Sequence, residues 1–365
     1  MKIFKNKEEA IDFIVALNND IPQDDMQENL QSVFQQFGVE TVMDALFKWS
    51  LKTGYITKSK LEDNEKLTFY DEEYGLDFRL QVNIARSKYK PVPLKGKNIP
   101  ELYSPIAIEN VGIPGKEYLR VFLFPLDGKA RTFFVQATPF PLFNNHFVLI
   151  NLEKVPQKID NQTLTDLFNF ADMAPSYTTC SNSDLEWTGA SILKHMHYQI
   201  FGDLDLPVLN AVDVPDLVWY KDYVKISGLH YPCGVVKFRS PYRENIKSVM
   251  NSVISAWKNM LPEKQSVNLI VIKTGVNRSM YEGYVFLRNS DYRTPEDIQK
   301  FKTEGVGIIE MAGEAILPVP SGDDEEWKWN EIRNNGLRII KGIIGGNNPI
   351  KKKEQIENLI NEVIK

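Results

Sequence analysis

What most constrains the fold of this chain is the recurrence of short, apolar, β-prone runs on both sides of residue 200. Before it stand residues 68–70, 76–84, 119–124, 132–136 and 146–150; after it stand 232–238, 267–272, 284–288 and Gly307-Ile308-Ile309-Glu310-Met311. Runs this short, rich in Val, Ile, Phe and Tyr and bounded by turn formers, read as strands, and 76–84 alternates cleanly. Pro125-Leu126-Asp127-Gly128 resembles a hairpin loop, Pro139-Phe140-Pro141 is a second turn, and the Pro- and Gly-rich stretch 90–115 reads as a long loop. One helical stretch interrupts each set, at 161–170 and 243–260. The expectation is an α+β fold of two lobes with antiparallel sheets, an arrangement that suggests an old duplication although no residue-level repeat is visible. Apolar residues at three- and four-residue spacing predict helices at 7–17 and 29–52, and the tail is helical from 325, broken at 342–349. The chain accordingly divides into a helical N-terminal segment (1–65), a first lobe (66–205), a second lobe (206–320) and a helical C-terminal segment (321–365).

Composition narrows the function classes. At 365 residues, 43% apolar and 25% charged, the chain suits a two-lobed globular protein with a sizeable core. With 43 basic against 48 acidic residues, the net charge of −5 gives no footprint for DNA or RNA. No apolar run has the length of a signal peptide or a membrane span, so a cytoplasmic protein without membrane or nucleic-acid partners is expected. Cys180 and Cys233 are too few for a disulfide framework or a metal knuckle, and only four histidines are present: His146, His195, His197 and His230.

Two of those histidines fall in the segment 181–199, together with short polar side chains and small residues. An imidazole attacking phosphorus splits a nucleotidyl transfer into two easier steps. The ring must be neutral and oriented by a hydrogen bond through its other nitrogen, and donors must surround the non-bridging oxygens. If the run is extended, His195, His197 and Gln199 share one face, with His197 as the nucleophile. Gly189-Ala190-Ser191 has no bulk to keep a phosphate from the backbone, and Ser191 adds a hydroxyl. Spacing alone leaves two other readings open: ordinary strand histidines, or metal ligands completed by Asp203 or Asp205.

The same residues resemble the class II galactose-1-phosphate uridylyltransferase family, relatives of the histidine-triad nucleotide-binding proteins. The resemblance rests on Ser181-Asn182-Ser183-Asp184-Leu185, on Gly189-Ala190-Ser191-Ile192-Leu193 and on His195-Met196-His197-Tyr198-Gln199. Further agreement lies in 76–84, Glu109-Asn110-Val111-Gly112, the stretch from Gln136 through Asn144-Asn145-His146, 267–270, 307–313 and Leu317-Pro318. It implies two histidine-triad-like lobes and a ping-pong exchange of a uridylyl group between UDP-glucose and a hexose 1-phosphate, as in galactose metabolism, with no cofactor. Under it His197 is the nucleophile, Gln199 steadies the transferred phosphoryl group and His195 supports His197. Asn182, Asp184, Gly189 and Ser191, with Asn144 and His146, fall on the substrate-binding side, and Glu310 falls where the family meets sugar hydroxyls. A symmetric dimer is implied by the resemblance alone.

The sequence also departs from the family. Ser104-Pro105-Ile106-Ala107 stands where relatives carry a Cys-x-x-Cys pair, so no structural zinc is expected, and Arg293-Thr294-Pro295-Glu296 lacks the histidines that relatives carry before Glu310. The chain is also shorter than typical members. Reaction class is therefore better specified than substrate. Two alternatives stand beside uridylyl transfer: a phosphorylase or hydrolase of a nucleotide sugar or dinucleotide using the same histidine, and a catalytically silent nucleotide-sugar-binding protein. His146 reads equally as a site residue or a buried strand histidine, His230 as structural, Trp187 as packing over the loop or stacking on a base, and Lys351-Lys352-Lys353 as a solvated helix face.

Overall fold

The computed structural model describes residues 2–57, 59, 62–84, 103–128, 131–189, 192–202 and 205–365. Two helices open the chain, α1 (Lys7–Ala16) and α2 (Gln23–Lys52), the second kinked at Gly38. The hairpin β1 (Glu65–Asp71) and β2 (Leu76–Val82) follows. Then come β3 (Val121–Pro125), β4 (Thr132–Ala137), β5 (His146–Asn151), helix α3 (Asn161–Met173), β6 (Tyr177–Ser181) and β7 (His197–Gly202). The next stretch repeats that order: β8 (Asp213–Lys221), β9 (Val224–Leu229), β10 (Val235–Ser240), helix α4 (Arg243–Met260), β11 (Gln265–Thr274) and β12 (Met280–Asn289). The short helices α5 (Glu296–Gln299) and α6 (Ile308–Met311), strand β13 (Glu314–Leu317) and the long helices α7 (Glu325–Gly346) and α8 (Lys353–Ile364) complete the chain.

Ten strands form one continuous sheet, ordered β3-β4-β5-β7-β6-β11-β12-β10-β9-β8. Read from either edge inward the connectivity is the same: three meander strands, a crossover helix, and a final pair in which the last strand is inserted. The duplication suspected from the strand pattern is therefore carried by topology. The halves meet where β6 pairs antiparallel with β11, Cys180 opposite Ile270. Alternation splits the side chains between two faces. Tyr198, Ile200, Leu269, Val271 and Val285 join one core with α3 and α4, whose apolar stripes close that face. Phe201, Cys180, Ile270, Tyr284 and Phe286 join a second core on the opposite face.

That second face is covered by a small sheet, β1-β2-β13, and by α7. Residues 65–82 thus leave the first lobe's sheet, contrary to the expected boundary at 66, because β2 finds a parallel partner in β13, with Leu80 opposite Ala315. The segment expected as a strand, Gly307 to Met311, is instead one turn of helix. Its first amides are already taken: Gly307 N donates to Glu310 Oε2 at 2.9 Å and Ile308 N to Asn182 Oδ1 at 3.0 Å. The tail helix, kinked at Asn335, also runs through Gly342 and Gly345 and ends at Asn347, whose side chain donates back to Ile343 O.

The outer edge of β3 is closed by side chains. Gln23 and Gln27 of α2 each donate to and accept from one residue of β3, Val121 and Leu123, at 2.8 to 3.1 Å. Two glutamine amides thereby replace a neighbouring strand and remove an exposed edge. No described helix is long and apolar enough to cross a membrane.

Candidate active site

Between the sheet's second face and the β2–β13 layer lies a cavity of about 540 Å³, within the range of small-ligand sites. β7 supplies its floor. Its register against β5, with Gln199 opposite Val148 and His197 opposite Ile150, turns His197, Gln199 and Phe201 to the cavity side. Gln199 and His146 line the cavity together with Asn182, Gly189, Lys302 and Glu310; His197 is not among the described lining residues but begins the same strand, one alternate position from Gln199, and is 5% exposed.

Hydrogen bonds fix the state of each imidazole. His197 Nδ1 donates to the His195 carbonyl at 2.8 Å, and its backbone amide donates to Gln157 Oε1 at 2.9 Å. A ring that donates through Nδ1 keeps its lone pair on Nε2. Burial pushes its pKa below the usual histidine value, partly opposed by that carbonyl, so the ring is neutral at pH 7. His195 is not in the strand: it occupies the bend before β7, donates from Nε2 to Asn151 O at 2.8 Å and meets Ser104 Oγ through Nδ1 at 2.7 Å. Burial lowers its pKa too. The expected shared face of His195, His197 and Gln199 is therefore reduced to two residues, and His195 acts on His197 through its own main-chain carbonyl.

His146 orients Gln199. Its Nδ1 accepts from Leu142 N at 3.2 Å, which leaves Nε2 to donate to Gln199 Oε1 at 2.8 Å. Full burial holds this ring's pKa down at about 4. With its carbonyl oxygen engaged, Gln199 has its amide nitrogen to offer to a phosphate oxygen. Asn182 is used the same way: Oδ1 accepts from Ile308 N and the amide nitrogen remains for the cavity.

Gly189 needs to be glycine. Its φ is +99°, and a Cβ there would stand 2.4 Å from Gly307 Cα. This close approach joins the 182–189 loop to the start of α6. Ser191, with Ala190, lies outside the described residues.

Three candidates stand apart from the expected roles. Asp184 does not line the cavity: it accepts from Ile159 N, forms an ion pair with Lys258 at 2.6 Å and accepts from Ser266 Oγ at 2.5 Å, so it anchors the loop. Asn144 is exposed and outside the cavity lining. Glu310 lines the cavity with both oxygens engaged, one on Lys302 Nζ at 2.8 Å and one on Gly307 N. Trp187, at φ +66°, stacks under the Arg293 guanidinium and does not line the cavity.

The sequence reading missed Ser104's bond to His195, Gln157 and Lys302. Lys302 is 4% exposed, donates also to Ile316 O at 3.0 Å, and is the one cation among the described lining residues. No periodicity marks such a residue; a lone lysine eight positions before a carboxylate is an ordinary surface pattern. No cluster of three or more metal-ligating side chains forms among the described residues.

Comparison with known proteins bears on this arrangement. The galactose-1-phosphate uridylyltransferase of Caldanaerobacter subterraneus subsp. tengcongensis is 27% identical over 318 residues, 77% of this chain and 60% of the relative. That of Clostridium acetobutylicum is 27% identical over 349 residues, 86% of this chain and 64% of the relative. The Staphylococcus saprophyticus enzyme is 26% identical over 309 residues, 76% and 61%. The chain is thus similar to galactose-1-phosphate uridylyltransferases over most of its length. It spans about three fifths of the length of these relatives. Residues 128–202, which hold β4 to β7 and three of the four histidines, match the family described as a domain of unknown function, DUF4922. Among solved structures, yeast Ap4A phosphorylase in complex with AMP covers 86% of this chain and 97% of its own at a TM-score of 0.55 and 14% identity. At that identity the likeness concerns the fold alone: α+β, with antiparallel sheet and helical segments at both ends.

Proposed function

We propose that this chain is a nucleotidyltransferase of the UDP-glucose:hexose-1-phosphate uridylyltransferase type, working through a covalent uridylyl-His197 intermediate. The observation that carries the reading is the His197 ring itself: neutral by burial, fixed through Nδ1 to the His195 carbonyl, with Nε2 left as nucleophile on the face that bears Gln199.

In the first step Nε2 attacks the α-phosphorus of UDP-glucose. The P–N bond forms as the bond to the bridging oxygen breaks, and glucose 1-phosphate leaves with the electron pair. The Gln199 and Asn182 amides donate to the non-bridging oxygens, where charge develops. A phosphate oxygen of the acceptor then attacks the same phosphorus, the P–N bond breaks and His197 returns to its neutral form. Gly189 keeps that wall low enough for a phosphate to approach the backbone. The substrates are a nucleotide sugar and a sugar 1-phosphate.

The engagement of Glu310 by Lys302 favours a second reading of the acceptor. A carboxylate with both oxygens occupied has little left for sugar hydroxyls, whereas Lys302 suits an anionic acceptor, so inorganic phosphate competes with hexose 1-phosphate for that role. The test is incubation with UDP-glucose alone and intact-mass detection of a uridylyl adduct, followed by addition of hexose 1-phosphate, phosphate or buffer. Release by hexose 1-phosphate supports the transferase, and release by phosphate or by water alone the phosphorylase or hydrolase. Binding of nucleotide sugars without any adduct leaves only the catalytically silent binding protein.

A further inference from the structure

Arg288 of β12 is fully buried, and among the described residues every oxygen it bonds belongs to a neutral group. Nη1 donates to Val306 O at 2.9 Å, to Asn268 Oδ1 and, at 3.5 Å, to Thr188 O; Nη2 donates to Asn347 Oδ1 at 3.3 Å. Nε has no partner. No ion pair forms to this guanidinium among the described residues. The titratable groups that face it are the buried Cys233 thiol, and Glu310, which is itself bound to Lys302. Burial holds the guanidinium down at about 10, which leaves it charged at neutral pH. A buried charge without a counter-ion is costly and rare. Here its carbonyl partners are the residues next to Gly189 and Gly307, the two glycines that meet at the cavity wall.

We propose that Arg288 is the electrostatic positioning residue of this phosphate site: an uncompensated buried cation that holds the Thr188 and Val306 carbonyls together and gives the glycine wall of the cavity a positive field. The proposal rests on reading the cavity as a phosphate site. It accounts for the lack, among the described residues, of a carboxylate paired with Arg288, because a counter-ion there would cancel the attraction for the substrate's phosphates. The role is separate from that of Lys302, which stands in the cavity and touches Glu310.

Asn268 allows a test that leaves Arg288 in place. Asn268→Asp sets a carboxylate of unchanged size against the guanidinium and neutralises it, whereas Asn268→Ala keeps the charge; both remove the donation from Asn268 Nδ2 to Thr188 O at 3.1 Å, so the difference between the two variants reports the charge alone. Asn347→Asp neutralises it from the other side, should Asn268→Asp fail to fold. The readout is inorganic pyrophosphate affinity by calorimetry at two salt concentrations. Expected is about tenfold weaker binding in either aspartate variant, with a flatter salt dependence, and binding within about twofold of the unaltered protein in Asn268→Ala. Equal weakening in Asn268→Ala assigns Arg288 to packing and overturns the proposal, as does unchanged binding in the aspartate variants. If the unaltered protein binds no pyrophosphate, the phosphate-site reading falls first and this one with it.

Discussion

The two lobes are built alike strand for strand, yet only one presents an imidazole to the cavity. Counting outward from the central pair Cys180 and Ile270, Gln199 of β7 corresponds to Tyr284 of β12, and His197 to Glu282. Glu282 is 7% exposed and fully engaged: Lys237 at 3.2 Å, Arg239 at 3.4 Å and the Tyr284 hydroxyl at 2.8 Å surround its carboxylate. The second lobe has turned its equivalent of the site into an ion-pair cluster. Its Arg288, by contrast, has no counter-ion among the described residues and reaches toward the first lobe's loop at Thr188. In the reaction proposed above, one lobe supplies the reacting group and the other supplies structure and charge, a division that sequence similarity between the lobes would not reveal.

The largest expected effect tests the first lobe's part. His197→Gly should abolish the uridylyl adduct and lower transfer by roughly a thousandfold or more, read by intact mass and by product formation. Normal transfer in that variant removes His197 as nucleophile. Adding Glu282→His and Tyr284→Gln in the same background should restore nothing, and an adduct on residue 282 would break the comparison outright.

Acid should separate the lobes next. His146, His195 and His197 are all held below their ordinary value by burial, so above about pH 6.5 both folded and unfolded forms are neutral and stability is insensitive to them. As pH falls through 6.5 the unfolded chain takes up protons that the native chain refuses, and stability falls; the His146 share, about 3 kcal/mol, levels off near pH 4. The second lobe's own histidine, His230, is exposed. Amide exchange in β5 and β7 should accelerate before that in β10 and β12 as pH drops from 7 to 4.5, and urea unfolding of His146→Gln should show a shallower pH slope. Uniform loss of protection across the sheet would argue against the division.

A smaller effect probes the second lobe's cluster. Glu282→Gln leaves Lys237 without its acid and should cost about 2 kcal/mol in urea unfolding, moderated by the half-exposed Arg239, while adduct formation persists. Loss of the adduct in a stably folded variant would give that cluster a part in the chemistry. Smallest is Ser104→Ala, which removes one buried hydrogen bond to His195 and should cost about 1 kcal/mol, with kcat falling several-fold at unchanged KM. A change in KM alone would mean that Ser104 acts on substrate rather than through His195.

Legibility followed the range of the interactions. The strand runs on either side of residue 200, and helix α4 with Ile246, Val249, Met250, Val253 and Trp257 on one stripe, were readable because side-chain period reports the buried face of a single element. Gly307-Ile308-Ile309-Glu310-Met311 was misread, since a short apolar run suits strand or helix equally. Asn182, 126 positions away, helps decide it by accepting from Ile308 N. Asp184 looked like a site residue because it stands inside the motif, but Lys258 and Ser266, brought by α4 and β11, claim its carboxylate.

By itself the sequence determined which segments form strands and helices and that one of them carries His-x-His-x-Gln, because those properties depend on neighbours a few residues apart. Only the tertiary structure decided which ring nitrogen of His197 holds the lone pair, that His195 works through its carbonyl, that Glu310 is engaged by Lys302, and that Arg288 stands uncompensated behind the glycine wall. Each of these depends on desolvation and on partners drawn from distant parts of the chain, and burial fixes them only once the two lobes and the β2–β13 layer have closed on one another.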